Sequence, residues 1–210
     1  ASRRSHFLSR MAEDFTVSLP GARAIVDRFH EEMRRGLAGE QSSLKMLPSF
    51  VGRPRGTETG RYLAIDLGGT NCRVLEVELD GRGGVSVAAV SRFVVPGAVM
   101  RGPGDGLFDF LAGCGDSFFR EHPPEGRREQ VLAFTFSFPV EQRSAASGTL
   151  IGWTKGFTAT GVEGEDVVAL LSGALERRGL GHLRIAVLTN DTVGTLLAGC
   201  YGDPSCDMGV

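Results

Sequence analysis

The stretch LAIDLGGTNCRV, residues 63–74, ends an apolar run at Asp66 and then turns on two adjacent glycines. Because glycine lacks a Cβ, a Gly68-Gly69 turn lets backbone N–H groups approach an anion closely. Asp66, at the end of the strand, could hold Mg²⁺ directly or through water. A Gly-Gly pair is equally typical of an ordinary hairpin turn. This stretch alone therefore leaves a phosphate site and a plain hairpin both open.

Residues beside the glycines add groups suited to phosphate. Thr70 offers a hydroxyl, Asn71 an amide, and Arg73 a positive charge within reach of phosphate oxygens. The stretch is not a Walker loop, since no Gly-Lys-Ser/Thr follows the glycines, and it lacks the spacing of a dinucleotide-binding fingerprint.

The composition is that of an ordinary globular protein. The chain has 210 residues, 41% hydrophobic and 23% charged, enough for one large domain or two small ones. Its net charge of −2 argues against nucleic-acid binding, which needs a basic face to neutralise phosphates. No apolar run predicts a membrane-spanning segment, and the first residues, ASRRSH, lack the apolar core of a secretory signal.

Cysteines and histidines give no metal motif. The four cysteines form no CxxC pair and the four histidines are scattered, so neither a zinc site nor a histidine-based triad is predicted. Reduced thiols fit a cytoplasmic enzyme, and we expect that location.

The amino-terminal part of the chain has a strong helical pattern. Apolar residues recur at helical spacing over residues 18–37, with Ser18 suited to cap the helix and Gly39 suited to end it. The following segment, SFVGRPRGTETG, is rich in turn residues and predicts a connector.

Beyond the connector, short apolar runs bounded by turn residues predict strands, and two longer periodic segments predict helices. The strands are predicted over residues 62–66, 73–79, 85–95, 130–136 and 183–188, and the helices around 107–119 and over 163–178. The first three strands form a meander and the later ones alternate with helices. This order predicts an α/β domain with a mixed β-sheet and flanking helices.

Two stretches place polar residues directly after apolar ones. FTFSFPVEQ ends a buried run at Ser137, which offers a hydroxyl, and Pro139, which fixes the backbone. In IGWTKGF, Thr154 and Lys155 follow the only tryptophan and offer one neutral donor and one charge. Taken singly, such a serine is more often a turn residue, and such a lysine is usually just solvated.

The stretch IAVLTNDTVGTLLAG ends a predicted strand at Thr189 and then begins a helix. Ligands of open α/β sheets bind at the carboxyl ends of the strands, so Asp191 lies where a general base would be useful. Aspartate is also a preferred helix cap, and on this stretch alone capping is the more common role for Asp191.

In this order, four stretches resemble the hexokinase family: LAIDLGGTNCRV, FTFSFP, WTKGF with GVEGEDVV, and NDTVGTL. SLKMLPSF in the connector is similar as well, and the resemblance runs from about Phe15 to the last residue. It implies the actin-like ATPase (ribonuclease H-like) fold, in which two α/β domains flank a cleft. It also implies an ATP-dependent hexose 6-phosphotransferase that uses ATP and Mg²⁺ and acts on glucose or a related hexose.

The resemblance further implies a role for each site residue. Asp191 would take the proton of the sugar's 6-hydroxyl, Lys155 would offset charge on the phosphoryl group, and Asp66 would act on magnesium through water. The implied sugar contacts are Ser137, Phe138, Pro139, Thr154, Lys155, Asn190 and Asp191. The implied phosphate contacts are Asp66, Leu67, Gly68, Gly69, Thr70, Asn71 and Arg73.

The chain departs from the family at its end, CDMGV, which stops inside what the resemblance implies is the first strand of the large domain. A second phosphate turn, further sugar contacts and the adenosine pocket would lie beyond it. We expect an amino-terminal arm and helix packing on the large domain over 1–52, a connector over 53–59, the small domain over 60–187, and the hinge with the start of a truncated large domain over 188–210. Without the missing large domain, the chain is expected not to catalyse.

Two further expectations concern function. Cys72 stands where the family usually has a larger apolar residue, and it should point into the sheet rather than at phosphate. A non-catalytic sugar sensor or regulatory half stays open beside the kinase, although the presence of Asp191, Lys155 and Asp66 favours the enzyme. An actin-like structural ATPase is a weaker alternative, because it leaves the FSFP and WTKGF stretches unexplained.

Overall fold

The computed structural model describes residues 3–123 and 130–210, which divide into two compact units. The first unit ends at Leu47 and the second begins at Pro48. The first unit contains the helices α1 (Arg3–Asp14) and α2 (Leu19–Leu37). No helix in the described part of the chain has the length and apolar character needed to cross a membrane.

The helix α2 forms where the apolar periodicity predicts it. Ser18 caps it, since its Oγ accepts a hydrogen bond from the N–H of Gly21 at 3.2 Å. The helix ends at Leu37, two residues before Gly39, whose φ of 74° favours glycine. The predicted helix over 18–37 is thus confirmed, whereas α1 lies outside the predicted elements and buries none of its residues.

A buried carboxylate fixes the segment that follows α2. Glu32 Oε2 accepts hydrogen bonds from the N–H of Ser43 at 2.6 Å and the hydroxyl of Ser42 at 2.8 Å. Its other oxygen lies 2.6 Å from the guanidinium of Arg28. The backbone bond from Ser43, the serine hydroxyls and the charge of Arg28 together lower the pKa of Glu32 to about 2. Glu32 is therefore ionised at neutral pH and holds both serines against the helix.

The second unit is built on a mixed sheet, as predicted. Its described strands are β1 (Thr59–Leu67), β2 (Asn71–Asp80), β3 (Val85–Val94), β4 (Gln130–Phe136), β5 (Val140–Ser144), β6 (Ser147–Leu150) and β7 (Leu183–Thr189). Five of them form one sheet in the order β3-β2-β1-β4-β7, and β5 pairs with β6 in a separate hairpin. The meander β1–β3 is antiparallel, whereas β4 is parallel to both β1 and β7.

Helices of the second unit pack on the sheet and bury its core. They are α3 (Gly97–Arg101), α4 (Gly104–Glu121), α5 (Val167–Arg177) and α6 (Asp191–Gly202). Leu111 of α4, Leu171 of α5 and Phe134 of β4 belong to one apolar cluster and are fully buried. Cys72 at the start of β2 is also fully buried there, which confirms that it points into the core.

Two predictions about element boundaries are wrong. The helix α5 begins at Val167 rather than at Glu163, because the Asp166 carboxylate caps it by accepting hydrogen bonds from the N–H of Val168 and of Ala169. The expected strand at CDMGV is absent, since residues 203–210 form neither helix nor strand.

The segment 203–210 runs along α6 instead of joining the sheet. A Cβ built on Gly209 would lie 2.7 Å from the carbonyl oxygen of Thr192, which shows how closely the segment approaches the helix. Arg53 forms an ion pair with Asp207 at 2.5 Å. With its backbone against α6, this segment has no neighbouring strand with which to form a ladder.

Candidate active site

Three of the stretches singled out by sequence meet at one edge of the sheet. β1, β4 and β7 are parallel neighbours, with Asp66 opposite Thr135 and Thr135 opposite Thr189. Their carboxyl ends therefore lie side by side, and each is followed by polar residues. This is the edge at which open α/β sheets bind ligands.

The turn between β1 and β2 is a tight hairpin with a bare backbone. The N–H of Gly68 donates to the carbonyl of Asn71 at 3.0 Å, and the carbonyl of Thr70 accepts from the N–H of Val95 at 2.9 Å. The hairpin interpretation is thus correct for the chain path, and it does not compete with a phosphate site. A Cβ on Gly69 would meet only Lys155 within 4 Å among the described residues, so the turn leaves room for an anion.

The side chains that flank the turn differ in burial and in their contacts. Leu67 is fully buried, so it serves the core and can offer a ligand only its backbone. Asp66 and Arg73 face each other across β1 and β2, and Asp66 Oδ2 accepts a hydrogen bond from the Arg73 guanidinium at 3.2 Å. The Gly68-Gly69 turn is therefore bordered by one carboxylate and one guanidinium.

The Asp66 carboxyl lies in an environment that disfavours its charge. Burial raises its pKa above the ordinary value, and the nearby charge of Asp191 raises it further, while Arg73 and Lys155 act in the opposite direction. The net effect is a carboxylate that an additional cation would stabilise.

The residues present fit the implied Mg²⁺. In the described ranges, no group of three or more His, Cys, Asp or Glu could hold a metal ion by itself. Mg²⁺ does not need such a cage, because it is commonly held by one or two carboxylates, waters and substrate phosphates. Asp66 and Asp191 are carboxylates of this kind, and the charge of Asp191 raises the pKa of Asp66.

After β4, Ser137 presents a buried hydroxyl without a partner. Its backbone N–H donates to the carbonyl of Leu67 at 3.2 Å, which ties it to the start of the phosphate turn. Its side chain is 3% exposed, yet its Oγ forms no hydrogen bond with the residues that the structure describes. Buried hydroxyls are normally paired, so this one suits a polar ligand. The next turn is held by Pro139, whose carbonyl accepts from the N–H of Ile151 at 3.0 Å.

The WTKGF stretch forms a turn that presents Thr154 and Lys155 to solvent. The carbonyl of Thr154 accepts from the N–H of Phe157 at 3.1 Å. Lys155 adopts a φ of 55°, in the left-handed region that non-glycine residues rarely adopt, and Gly156 follows at 79°. Strained backbone of this kind is concentrated at functional sites.

The helix α6 begins at the site, and its cap is Asn190 rather than Asp191. The Asn190 side-chain oxygen accepts a hydrogen bond from the N–H of Thr192 at 3.0 Å. Asp191 Oδ1 accepts from the same N–H at 3.0 Å, while its Oδ2 lies 3.7 Å from Lys155 Nζ. The capping alternative thus applies mainly to Asn190, and Asp191 keeps one oxygen directed at the lysine.

The Lys155–Asp191 pair joins two predicted stretches that are distant in sequence. Its side chains are 39% and 55% exposed, and a pair this open contributes at most about 1 kcal/mol to stability. The pair therefore contributes little to the stability of the fold. It places an ammonium beside a carboxylate that can accept a proton, next to a turn that can receive phosphate.

An aromatic cluster that was not predicted from the sequence lies behind Lys155. The ring of Phe138 meets those of Trp153 and Phe157 with centroids 4.9 and 5.0 Å apart, and Trp153 stacks on Phe157 at 5.3 Å. The indole N–H donates to the carbonyl of Ala159 at 2.8 Å, so Trp153 is a packing residue. The aromatic residues within FSFP and WTKGF were the available signal, but sequence does not show that two stretches share a core.

Comparisons of sequence relate the chain to hexokinases. A family model described as Hexokinase matches residues 7–201. Hexokinase-1 of Schizosaccharomyces pombe is 40% identical over 204 residues, covering 97% of this chain and 42% of that protein. Hexokinase-3 of Rattus norvegicus is 44% identical over 197 residues, covering 93% and 21%. The chain thus spans less than half the length of these relatives.

Structural comparison agrees. A hexokinase from Schistosoma mansoni complexed with glucose is similar with a TM-score of 0.85 and 40% identity, covering 98% of this chain and 47% of that one. A crystal structure of another hexokinase gives a TM-score of 0.75 and 34% identity. These likenesses confirm the predicted α/β sheet of the actin-like ATPase type. Its sequence, its fold and the gathering of its site stretches at one end of the sheet together show that the chain belongs to the hexokinase family.

Proposed function

We propose that the complete protein transfers the γ-phosphate of Mg-ATP to the 6-hydroxyl of glucose or a related hexose. The observation that carries this proposal is the approach of Lys155 Nζ to Asp191 Oδ2, 3.7 Å, beside the phosphate turn. Membership of the hexokinase family supports it, as does the glucose complex of the Schistosoma mansoni relative. Because this chain spans less than half of its relatives, the activity is proposed for the whole protein.

In the proposed reaction Asp191 is the general base. The 6-hydroxyl oxygen attacks the γ-phosphorus and forms a new O–P bond, while the bond from that phosphorus to the β–γ bridging oxygen breaks. The electron pair of that bond leaves with ADP, and the hydroxyl proton passes to the Asp191 carboxylate. Lys155 offsets negative charge on the phosphoryl group as it moves between the two oxygens. Such positioning and charge compensation are what phosphoryl transfer requires.

The remaining site residues bind and orient. We assign the sugar hydroxyls to Ser137, Thr154 and Asn190, with the backbone of Phe138 and Pro139, since paired donors and acceptors suit a sugar. The ATP phosphates meet the turn from Asp66 to Asn71, with Arg73 at its side. Mg²⁺ held by Asp66 through water would neutralise charge on the phosphates.

The domain roles follow the same proposal. We assign residues 1–52 to an arm and helix that pack on the large domain, and residues 53–59 to a connector. We assign residues 60–187 to the small domain, and residues 188–210 to the hinge and the start of the large domain. The apolar side chains of Ile25, Val26 and Phe29 on α2 are 61%, 50% and 53% exposed, which suits packing against a further domain. A cytoplasmic location suits the four free cysteines.

The test is glucose-dependent ADP formation by the complete protein and by its Asp191→Ala variant. We expect kcat to fall by about two to four powers of ten in the variant, the usual contribution of a general base. Asp105→Ala is the matched control, because Asp105 is an exposed residue of α4 that lies outside the proposed site, and it should retain full activity.

Two results would count against the proposal. A complete protein that binds glucose but releases no ADP would be a sugar sensor or regulatory half. Turnover that survives in Asp191→Ala would remove Asp191 from its role as the base.

A further inference from the structure

The Lys155 ammonium has a second neighbour besides Asp191, the face of an aromatic ring. Lys155 Nζ lies 5.7 Å from the centroid of Phe138. A cation within about 6 Å of a ring centroid is attracted by the negative face of the ring. The proposed charge chemistry does not itself explain this contact.

The ring of Phe138 is held rigidly. Phe138 is 3% exposed, and Trp153 and Phe157 meet it edge-on at interplanar angles of 89° and 73°. Trp153 is in turn fixed by its indole hydrogen bond to Ala159 and by the 2.8 Å bond from its backbone N–H to Glu163. A buried ring held by two aromatic neighbours in this way offers the lysine a surface with a fixed position.

The lysine needs such a surface, because little else constrains its end. A lysine side chain has four methylenes and many rotamers, and this one is 39% exposed. Its stem passes the bare backbone of Gly69, where Cδ lies 3.8 Å from the position of a Cβ. The 3.7 Å separation from Asp191 Oδ2 is longer than a hydrogen bond.

We propose that Phe138 is a positioning residue for the phosphoryl transfer: its ring fixes the Lys155 ammonium between the Asp191 carboxylate and the phosphate turn. This inference rests on the proposed function and names how one of its catalytic groups is oriented. The ring acts through Lys155 and does not touch the reacting atoms. Because Lys155 offsets charge that develops during the reaction, the ring should affect kcat more than the KM for hexose.

The first test changes the ring electronically without changing its shape. Phenylalanines carrying one, two or three fluorine atoms, placed at position 138 of the complete protein, weaken the negative face of the ring stepwise. We expect the logarithm of kcat to fall in proportion to the number of fluorines, by about three- to tenfold in total, with little change in KM. The same series at Phe157, which packs on Phe138 but is not the ring in contact with the Lys155 ammonium, should leave kcat unchanged.

The second test observes the contact in the 210-residue chain and requires no turnover. Protons above a ring face resonate upfield, so the ε-methylene signal of Lys155 in a ¹H–¹³C spectrum should be shifted upfield. Phe138→Leu should remove that shift and Phe157→Leu should retain it. If Phe138→Leu fails to fold, cyclohexylalanine at position 138, which has a similar shape but no ring current, takes its place.

The two tests separate this inference from the proposed function. The role of Phe138 is overturned by an unshifted Lys155 signal. It is also overturned if kcat of an active enzyme does not change with the number of fluorines at position 138. An upfield signal that depends on Phe138 supports the contact whether or not the protein is active. Absence of kinase activity in the complete protein would refute the proposed function instead.

Discussion

Among single residues, Asp66 carries a charge that the fold itself stabilises poorly. Its pKa is raised by burial and by Asp191, so the folded state binds the Asp66 proton more tightly than the unfolded state does. The ionised carboxylate therefore lowers stability, and this penalty develops as pH rises through and above the ordinary pKa of 3.8. At neutral pH the penalty is fully present, and in acid below that value it vanishes.

We therefore predict that Asp66→Asn makes the ligand-free chain more stable at neutral pH, with the gain shrinking in acid. Urea unfolding of both chains at neutral pH and below pH 3.8 measures this. Asp105→Asn, in an exposed position, controls for the general loss of a negative charge. A lower urea midpoint for Asp66→Asn at neutral pH would show instead that its bond to Arg73 outweighs burial and the charge of Asp191.

At the scale of elements, the start of α5 depends on one side chain. The Asp166 carboxylate accepts hydrogen bonds from the N–H groups of Val168 and Ala169, and its second oxygen accepts one from the hydroxyl of Ser147 at 2.6 Å. It thus caps the helix and ties it to the β5–β6 hairpin. We predict that Asp166→Ala lowers the free energy of unfolding by about 1–2 kcal/mol.

The measurement is again urea unfolding, compared with Asp105→Ala. Asp105 lies in the first turn of α4, where the cap position is held by Pro103 without a side-chain hydrogen bond. Removing that carboxylate should change the unfolding free energy by less than about 0.5 kcal/mol. Equal losses in the two variants would mean that the hydrogen bonds of Asp166 do not stabilise the helix.

Much of the fold could be predicted from the sequence, and part of it could not. The helix over 18–37 and the five main strands were predictable, because burial of one face or of whole strands leaves a periodic or continuous apolar pattern. The β5–β6 hairpin has polar residues such as Gln142 and Arg143, so no apolar run marks it. The start of α5 was placed four residues too early, since the sequence does not show that Asp166 caps the helix.

The site was predictable in composition but not in contacts. Asp66 and Asp191 were each predicted at the carboxyl end of a strand, and the structure places both at the same end of the sheet, after β1 and β7. Asn190, rather than Asp191, caps α6. Adjacent polar residues at the start of a helix are equally able to cap it, and only the path of the backbone decides between them. The pairing of Lys155 with Asp191 depends on two loops that meet through tertiary packing, which no local pattern records.

For the whole molecule, we propose that the described site is one wall of a cleft. It brings together Asp191, Lys155, the turn between β1 and β2 and the Ser137 hydroxyl, which has no hydrogen-bond partner among the described residues, while Lys155 and Asp191 are open to water. The proposed phosphoryl transfer to a sugar requires that water be excluded from the site. The chain covers 42% of the Schizosaccharomyces pombe relative, so we propose that a part of the complete protein that this chain does not cover forms the closing wall.

We accordingly predict no glucose-dependent ADP formation by the 210-residue chain at saturating glucose and Mg-ATP. The complete protein, assayed in parallel at equal molar concentration, is the positive control. Sugar-dependent ADP release by the short chain would show that one wall suffices and would contradict the proposed division of the site.

The position of β4 between β1 and β7 also governs the order in which the chain folds. The meander β1–β3 is local and can form early, whereas each parallel pairing of β4 joins segments far apart in the chain. Contacts of long sequence separation form late, because the entropy of closing the intervening loop is lost before they form. On the ribosome, the three parallel carboxyl ends therefore come together only after β7 has emerged, and a nascent chain that stops earlier carries the proposed phosphate turn without Asp191, the proposed base.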